Sequence, residues 1–125
     1  MVVRGLPGPA DAEADRIFQA LADSTRRDIL ARVISEEQSV SALAREYPMS
    51  FAAVQKHVAV LERAALVGKR RRGKEQIVHA EVDAVRRAAQ LLDRYEQLWR
   101  HRARAIEEIL AEEQSSADKR EGQRP

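Results

Sequence analysis

The side chains best suited to recognition chemistry lie in two short stretches. The first, Ser50-Phe51-Ala52-Ala53-Val54-Gln55-Lys56-His57-Val58, sets small and polar residues at helical spacing beside an apolar stripe of Val54, Val58 and Leu61. Ala52 and Ala53 allow a backbone to approach base edges or a thymine methyl; Gln55 carries the donor–acceptor pair that matches adenine, and Lys56 suits guanine or a phosphate. Ser50 and the N–H groups of a helix start suit a phosphate oxygen, and Phe51 stands in the same exposed first turn. His57 flanks the apolar stripe and reads equally as a phosphate donor or as a packed, hydrogen-bonded ring. The second stretch, Lys69-Arg70-Arg71-Arg72-Gly73-Lys74, holds five cations in six residues of a chain whose net charge is only +2. The remainder is therefore net acidic, and such concentration points to a specific polyanion contact. Lys69, Arg71, Arg72 and Lys74 are the candidates for a minor groove or flanking phosphates.

Other chemistry finds little support. There is no Cys, which excludes disulfides, thiolate metal sites, Cys nucleophiles and thiol redox sensing. Of the three histidines, His101 is flanked by Arg102 and Arg104, with Asp93 more than two turns away. His79 and Glu81 make at most half a site, whereas a closed zinc centre wants four ligands. No metal and no cofactor are expected. With no Gly-rich phosphate loop, no nucleophile elbow and no Ser/His/Asp spacing, the chain does not read as an enzyme. No apolar run approaches the roughly 20 residues of a membrane span. The opening MVVRGLPGPA is too short and too broken for a signal peptide, so the expected setting is cytoplasmic with no membrane partner.

These stretches need elements to hold them. A length of 125 residues, 44% hydrophobic and 34% charged, suits one soluble domain. Ala14, Ile17, Phe18 and Leu21 mark a first helix from about Asp11 to Ala22. Asp23 can cap a second, with Ile29, Leu30, Val33 and Ile34 turned inward. Ser39 can cap a short third helix carrying Val40, Leu43 and Ala44, and Ser50 a fourth running to about Ala64, separated by Tyr47-Pro48-Met49. Leu66–Arg71 and Gln76–Ala80 then read as strands around a Gly-containing turn. The expected fold is mainly α with a small β-hairpin: a helix-turn-helix followed by a basic wing. Domain boundaries follow as a flexible N-terminus over 1–10, a winged domain over 11–112 and a disordered tail over 113–125.

The last helix, about 82–112, would be roughly 45 Å long, more than a domain this small covers by itself. Val85, Leu92, Trp99 and Ile106 recur every seven residues, with Ala88, Tyr95 and Ile109 three positions on, and Arg102 interrupting the second row. Such a stripe invites a partner helix. A homodimer is expected through Phe18, Val85, Leu92, Tyr95, Trp99, Ile106 and Ile109, so that two recognition helices meet adjacent major grooves of double-stranded DNA.

Several segments resemble the ArsR-type winged-helix transcriptional repressors. They are Leu21-Ala22-Asp23-Ser24-Thr25-Arg26-Arg27-Asp28-Ile29-Leu30, the stretch from Met49 to Val58, Leu61-Glu62-Arg63-Ala64-Ala65-Leu66-Val67, and Arg71-Arg72-Gly73-Lys74-Glu75. The resemblance spans about residues 12–112 and is strongest to the metal-independent branch, whose members end in a long helix containing Tyr and Trp, as Tyr95 and Trp99 do here. It implies a bacterial, dimeric DNA-binding repressor, often of its own operon, with recognition helix 50–64 and wing 67–80. Three departures stand out: Ser24 where Pro is common, Ala42 where Glu would complete a capping box, and Ala65 where Gly usually ends the recognition helix. Two alternatives remain open: a protein-interaction module built on the long helix, and a repressor with a small organic effector near Tyr95 and Trp99.

Overall fold

Every helix start expected from a cap residue is present. A computed structural model describes residues 9–122. The elements run α1 (Pro9–Leu21), α2 (Ser24–Ser35), β1 (Gln38–Ser39), α3 (Val40–Arg45), α4 (Phe51–Arg63), β2 (Val67–Arg72), β3 (Glu75–Ala80) and α5 (Val82–Gly122). The chain divides into two units, one ending at Ala89 and one beginning at Gln90.

In the first unit, Asp23, Ser39 and Ser50 cap α2, α3 and α4 by accepting the N–H groups of Arg26, Ala42 and Ala53, which removes one orphan donor from each helix start. Ile17 and Ala20 of α1, Ile29, Leu30 and Val33 of α2, Leu43 of α3 and Val54, Val58 and Leu61 of α4 form one core. Leu66, Val67 and Val78 of the hairpin and Ala84 and Ala88 of α5 complete it. The fold is the expected helix-turn-helix with a wing.

The structure amends several expectations. The sheet has three antiparallel strands in the order β1-β3-β2, because Gln38 and Ser39 pair with Val78 and Ile77 before Ser39 turns to cap α3. A two-residue strand leaves no periodicity to read. The hairpin turn is two residues, not four, with Arg72 paired to Glu75. Gly73 takes φ 63° there, as a two-residue turn opening on glycine requires. Ile34, expected in the core, is 57% exposed; α2 ends at the next residue and buries only Ile29, Leu30 and Val33. The first helix begins at Pro9, earlier than expected; the rest of the expected flexible N-terminus, residues 1–8, lies outside the described residues. The expected disordered tail is helical as far as Gly122, and 123–125 lie outside the described residues. Residues 113–121 contain no Gly or Pro and favour helix by intrinsic propensity, although they bury nothing.

In the second unit, residues 90–122 are helical, and Leu92, Tyr95, Leu98, Trp99, Ile106, Ile109 and Leu110 are all exposed in the single chain.

The carboxyl end of α4 closes with a left-handed residue. The Leu66 N–H bonds the Leu61 carbonyl at 3.0 Å and the Ala65 N–H bonds Glu62 at 2.9 Å, the paired bonds of a Schellman ending. Ala65 occupies its αL position at φ 57°, where a Cβ crowds the backbone. Ala65→Gly should therefore raise unfolding stability by about 1 kcal/mol, read as an increased urea midpoint with unchanged slope.

The turn between α3 and α4 is tied to α2. Tyr47 Oη donates to Asp28 Oδ2 at 2.5 Å, Arg32 Nε bonds the same oxygen at 2.8 Å, and the Arg32 guanidinium lies 5.5 Å from the Tyr47 ring centre. The Tyr47 and Arg32 bonds hold the Asp28 carboxyl below its usual range. Burial, reinforced by Asp28, pushes the Tyr47 phenol from 10.0 up to about 12. The unfolded chain releases that proton first, so the contribution is complete below pH about 10 and is lost as pH rises through about 12. An ultraviolet tyrosinate titration should show one late phenol, and Tyr47→Phe should remove it.

Candidate nucleic-acid interface

The candidate interface begins with the exposed side of α4. Because Val54, Val58 and Leu61 are fully buried, the helical period leaves Ala52, Gln55 and Lys56 exposed on the opposite side, with Ala53 and Ala59 half-buried at its margins. Ser50 Oγ accepts the Ala53 N–H at 3.1 Å, and the Val54 N–H returns to the Ser50 carbonyl. Among the described residues the Phe51 and Ala52 N–H groups are then left as the helix's open donors. They sit at its positive end, where an anion is favoured.

The wing tip shares a cleft with this helix start. A cavity of about 310 Å³ is lined by Ser41 of α3, Phe51 and Gln55 of α4, and Arg71, Lys74 and Gln76 of the wing, among others. Strand periodicity sorts the basic run into two faces. Arg71 shares the cleft side with its cross-strand partner Gln76, whereas Arg70 and Arg72 project to the other face. On that face Arg70 forms a two-pronged ion pair with Glu37, which holds the Glu37 carboxyl below its usual range.

Each candidate takes a definite place. Ser50, Phe51, Ala52, Gln55, Lys56, Arg71, Arg72 and Lys74 are exposed. Lys69 is half-buried, its Nζ 3.5 Å from Glu62 Oε1 of α4, so this cation braces the wing against the helix. His57 is half-buried, with Nδ1 3.4 Å from Arg26 Nη1. Sequence reasoning did not single out Arg26: it lies on a different helix from the recognition residues, and nothing in its spacing marks the contact. Of the expected dimer residues, Phe18 and Val85 pack partly against the core of their own unit, while Leu92, Tyr95, Trp99, Ile106 and Ile109 are exposed.

Among the described residues no group of three or more His, Asp or Glu could hold a metal ion. His79 and Glu81 instead bond each other, Nε2 to Oε1 at 2.9 Å. Gly68 makes room for them, since a Cβ there would lie 2.5 Å from His79 Nε2. No helix among the described residues is long and apolar enough to cross a membrane.

Comparisons with known proteins agree with this geometry. A helix-turn-helix domain family matches residues 21–70. The HTH-type transcriptional regulator Rv2034 of Mycobacterium tuberculosis is 38% identical over 81 residues, 65% of this chain and 76% of that protein. An ArsR-like transcriptional regulator from Rhodococcus sp. RHA1 superposes with a TM-score of 0.68 at 35% identity, covering 78% of this chain and 92% of that one. The homodimeric winged helix-turn-helix DNA-binding domain Mb0332 from Mycobacterium bovis, at 24% identity and TM-score 0.58 over 76% of this chain and 92% of its own, shares the fold. With the cap-delimited α4, the basic wing and these relatives in agreement, the chain belongs to the ArsR family of winged helix-turn-helix DNA-binding transcriptional regulators, which are not enzymes.

Proposed function

We propose that the protein is a homodimeric repressor that binds a palindromic operator in the cytoplasm, with α4 in the major groove and the wing beside it. The observation that carries this reading is the cleft in which Phe51 and Gln55 of α4 face Arg71 and Lys74 of the wing. A duplex that seats α4 in its groove meets the wing cations on its adjacent backbone. The dimer reading is supported by the exposed apolar residues of the C-terminal helix, Trp99 at 66% exposure among them, and by the homodimeric state of the Mycobacterium bovis domain. Two-fold symmetry would set the recognition helices roughly 34–36 Å apart, one helical turn of DNA.

Footprinting on the DNA upstream of its own gene tests the operator directly: the expected result is one protected site with two inverted half-sites. Equal affinity for scrambled duplexes would exclude sequence-specific repression. Within such a site, Gln55→Ala or Lys56→Ala should cost about 1–3 kcal/mol of discrimination at one base pair per half-site. Arg71→Ala should instead weaken binding to all sequences and flatten the logarithmic salt dependence by about one unit per contact.

Sedimentation tests the dimer. The wild-type chain should sediment as a dimer, and Trp99→Arg should shift it toward monomer, with weaker DNA binding at equal protomer concentration. A stable hetero-complex that covers Trp99, with no DNA binding, would favour the interaction-module reading instead.

A further inference from the structure

Arg26 joins three helices. Its Nε donates to the Ala20 carbonyl at 2.7 Å and its Nη2 to the Gln19 carbonyl at 3.0 Å, so it closes the carboxyl end of α1. Its remaining nitrogen, Nη1, lies 3.4 Å from Nδ1 of His57 on α4. A guanidinium has donors only and keeps its charge at any physiological pH. The ring nitrogen opposite it must therefore accept, and a neutral imidazole that accepts at Nδ1 carries its proton on Nε2.

The competing partner is weaker. Asp23 Oδ2 stands 3.9 Å from the same Nδ1 and already accepts the Arg26 backbone N–H at 3.0 Å. That bond is the main reason its carboxyl lies below the usual range. On α4 itself, the residues one turn from His57 are Ala53, Val54, Val60 and Leu61, none of them charged. Arg26 thus favours the tautomer that carries the proton on Nε2. With Nδ1 anchored at the α1–α2 corner, ring geometry turns Nε2 away from that corner. The side chain is 23% exposed, on the flank between the buried stripe and the exposed Lys56, and its Nε2 bonds no described residue.

We infer that Arg26 is a positioning residue for DNA binding: it holds His57 as the Nε2–H tautomer and so presents one neutral N–H donor to a backbone phosphate at the edge of the major groove. The inference rests on the proposed seating of α4 in the groove. It divides the phosphate contacts into two kinds: Arg71 and Lys74 act by charge and release counterions, whereas His57 acts by a directed hydrogen bond and releases none.

Nitrogen-15 NMR of the full chain without DNA, in mildly alkaline solution, should show His57 as the Nε2–H tautomer; the Nδ1–H form would overturn the inference whatever the variants do. On an operator duplex, His57→Ala should lower affinity by about tenfold, the loss of one hydrogen bond to a charged group, with the salt slope unchanged. His57→Gln, whose amide nitrogen reaches the position of Nε2, should recover most of that loss. Arg26→Lys, checked for retained fold by circular dichroism, should mix the His57 tautomers and weaken binding by less than His57→Ala, in proportion to the Nε2–H population lost. Full affinity in His57→Ala, or a salt slope flattened as in Arg71→Ala, would overturn the proposed role while leaving the seating of α4 intact. Unchanged binding in both His57→Ala and Arg71→Ala would overturn the seating as well.

Discussion

The inward packing of α4 governs the rest of the molecule. Val54, Val58 and Leu61 are each fully buried among Ile17, Ile29, Leu43, Leu66 and Val78, at about 1.5–3 kcal/mol for each fully buried aliphatic side chain. That burial fixes the rotation of the helix about its axis, and a helix with one face committed has only its opposite face to offer. Ser50 sets where the helix begins and the Ala64-Ala65-Leu66 turn sets where it stops. The exposure of Gln55 and Lys56 follows from these three constraints. Ala65 keeps its left-handed conformation against the preference of its Cβ because Leu66, one residue on, is fully buried and bonded back to Leu61.

Charge is organised at finer grain than its density suggests. The five cations of the basic run do not form a uniform patch: Lys69 is taken up by Glu62, Arg70 by Glu37, and strand alternation parts Arg71 from Arg72. Of the five, the cleft beside α4 holds Arg71 and Lys74, with Glu75 next to them. The pairing of Arg70 with Glu37 also joins the wing to the segment before β1, so the third strand and the ion pair together anchor the base of the hairpin.

The C-terminal helix follows different physics along its length. Ala84 and Ala88 are buried in the first unit, and small residues there let the helix lie close to its neighbours. From Gln90 onward no described residue is buried, yet Leu92, Tyr95, Trp99, Ile106 and Ile109 keep the seven-residue apolar pattern. That pattern is the apolar surface on which the proposed dimer rests. Helix propensity extends it to Gly122 without tertiary support.

The helices, their caps, the buried stripe of α4 and the basic wing were readable from residue order, because each depends on residues within a turn or two of one another. Asp23, Ser39 and Ser50 are cap residues of the right type immediately before a helical apolar period, and Gly73 marks a hairpin tip. The family was legible for the same reason, since its motifs are local. Tertiary structure alone decided what depends on residues far apart in the chain: that Gln38 and Ser39 pair with Val78 and Ile77, that Glu62 takes Lys69 and Glu37 takes Arg70, and that Ile34 lies outside the core. It also brought His57 to a partner, because Arg26 is 31 positions away in sequence but 3.4 Å away in space. A hydrogen bond is a short-range, directional interaction, and only the packing of α1, α2 and α4 on one core brings its two partners within reach.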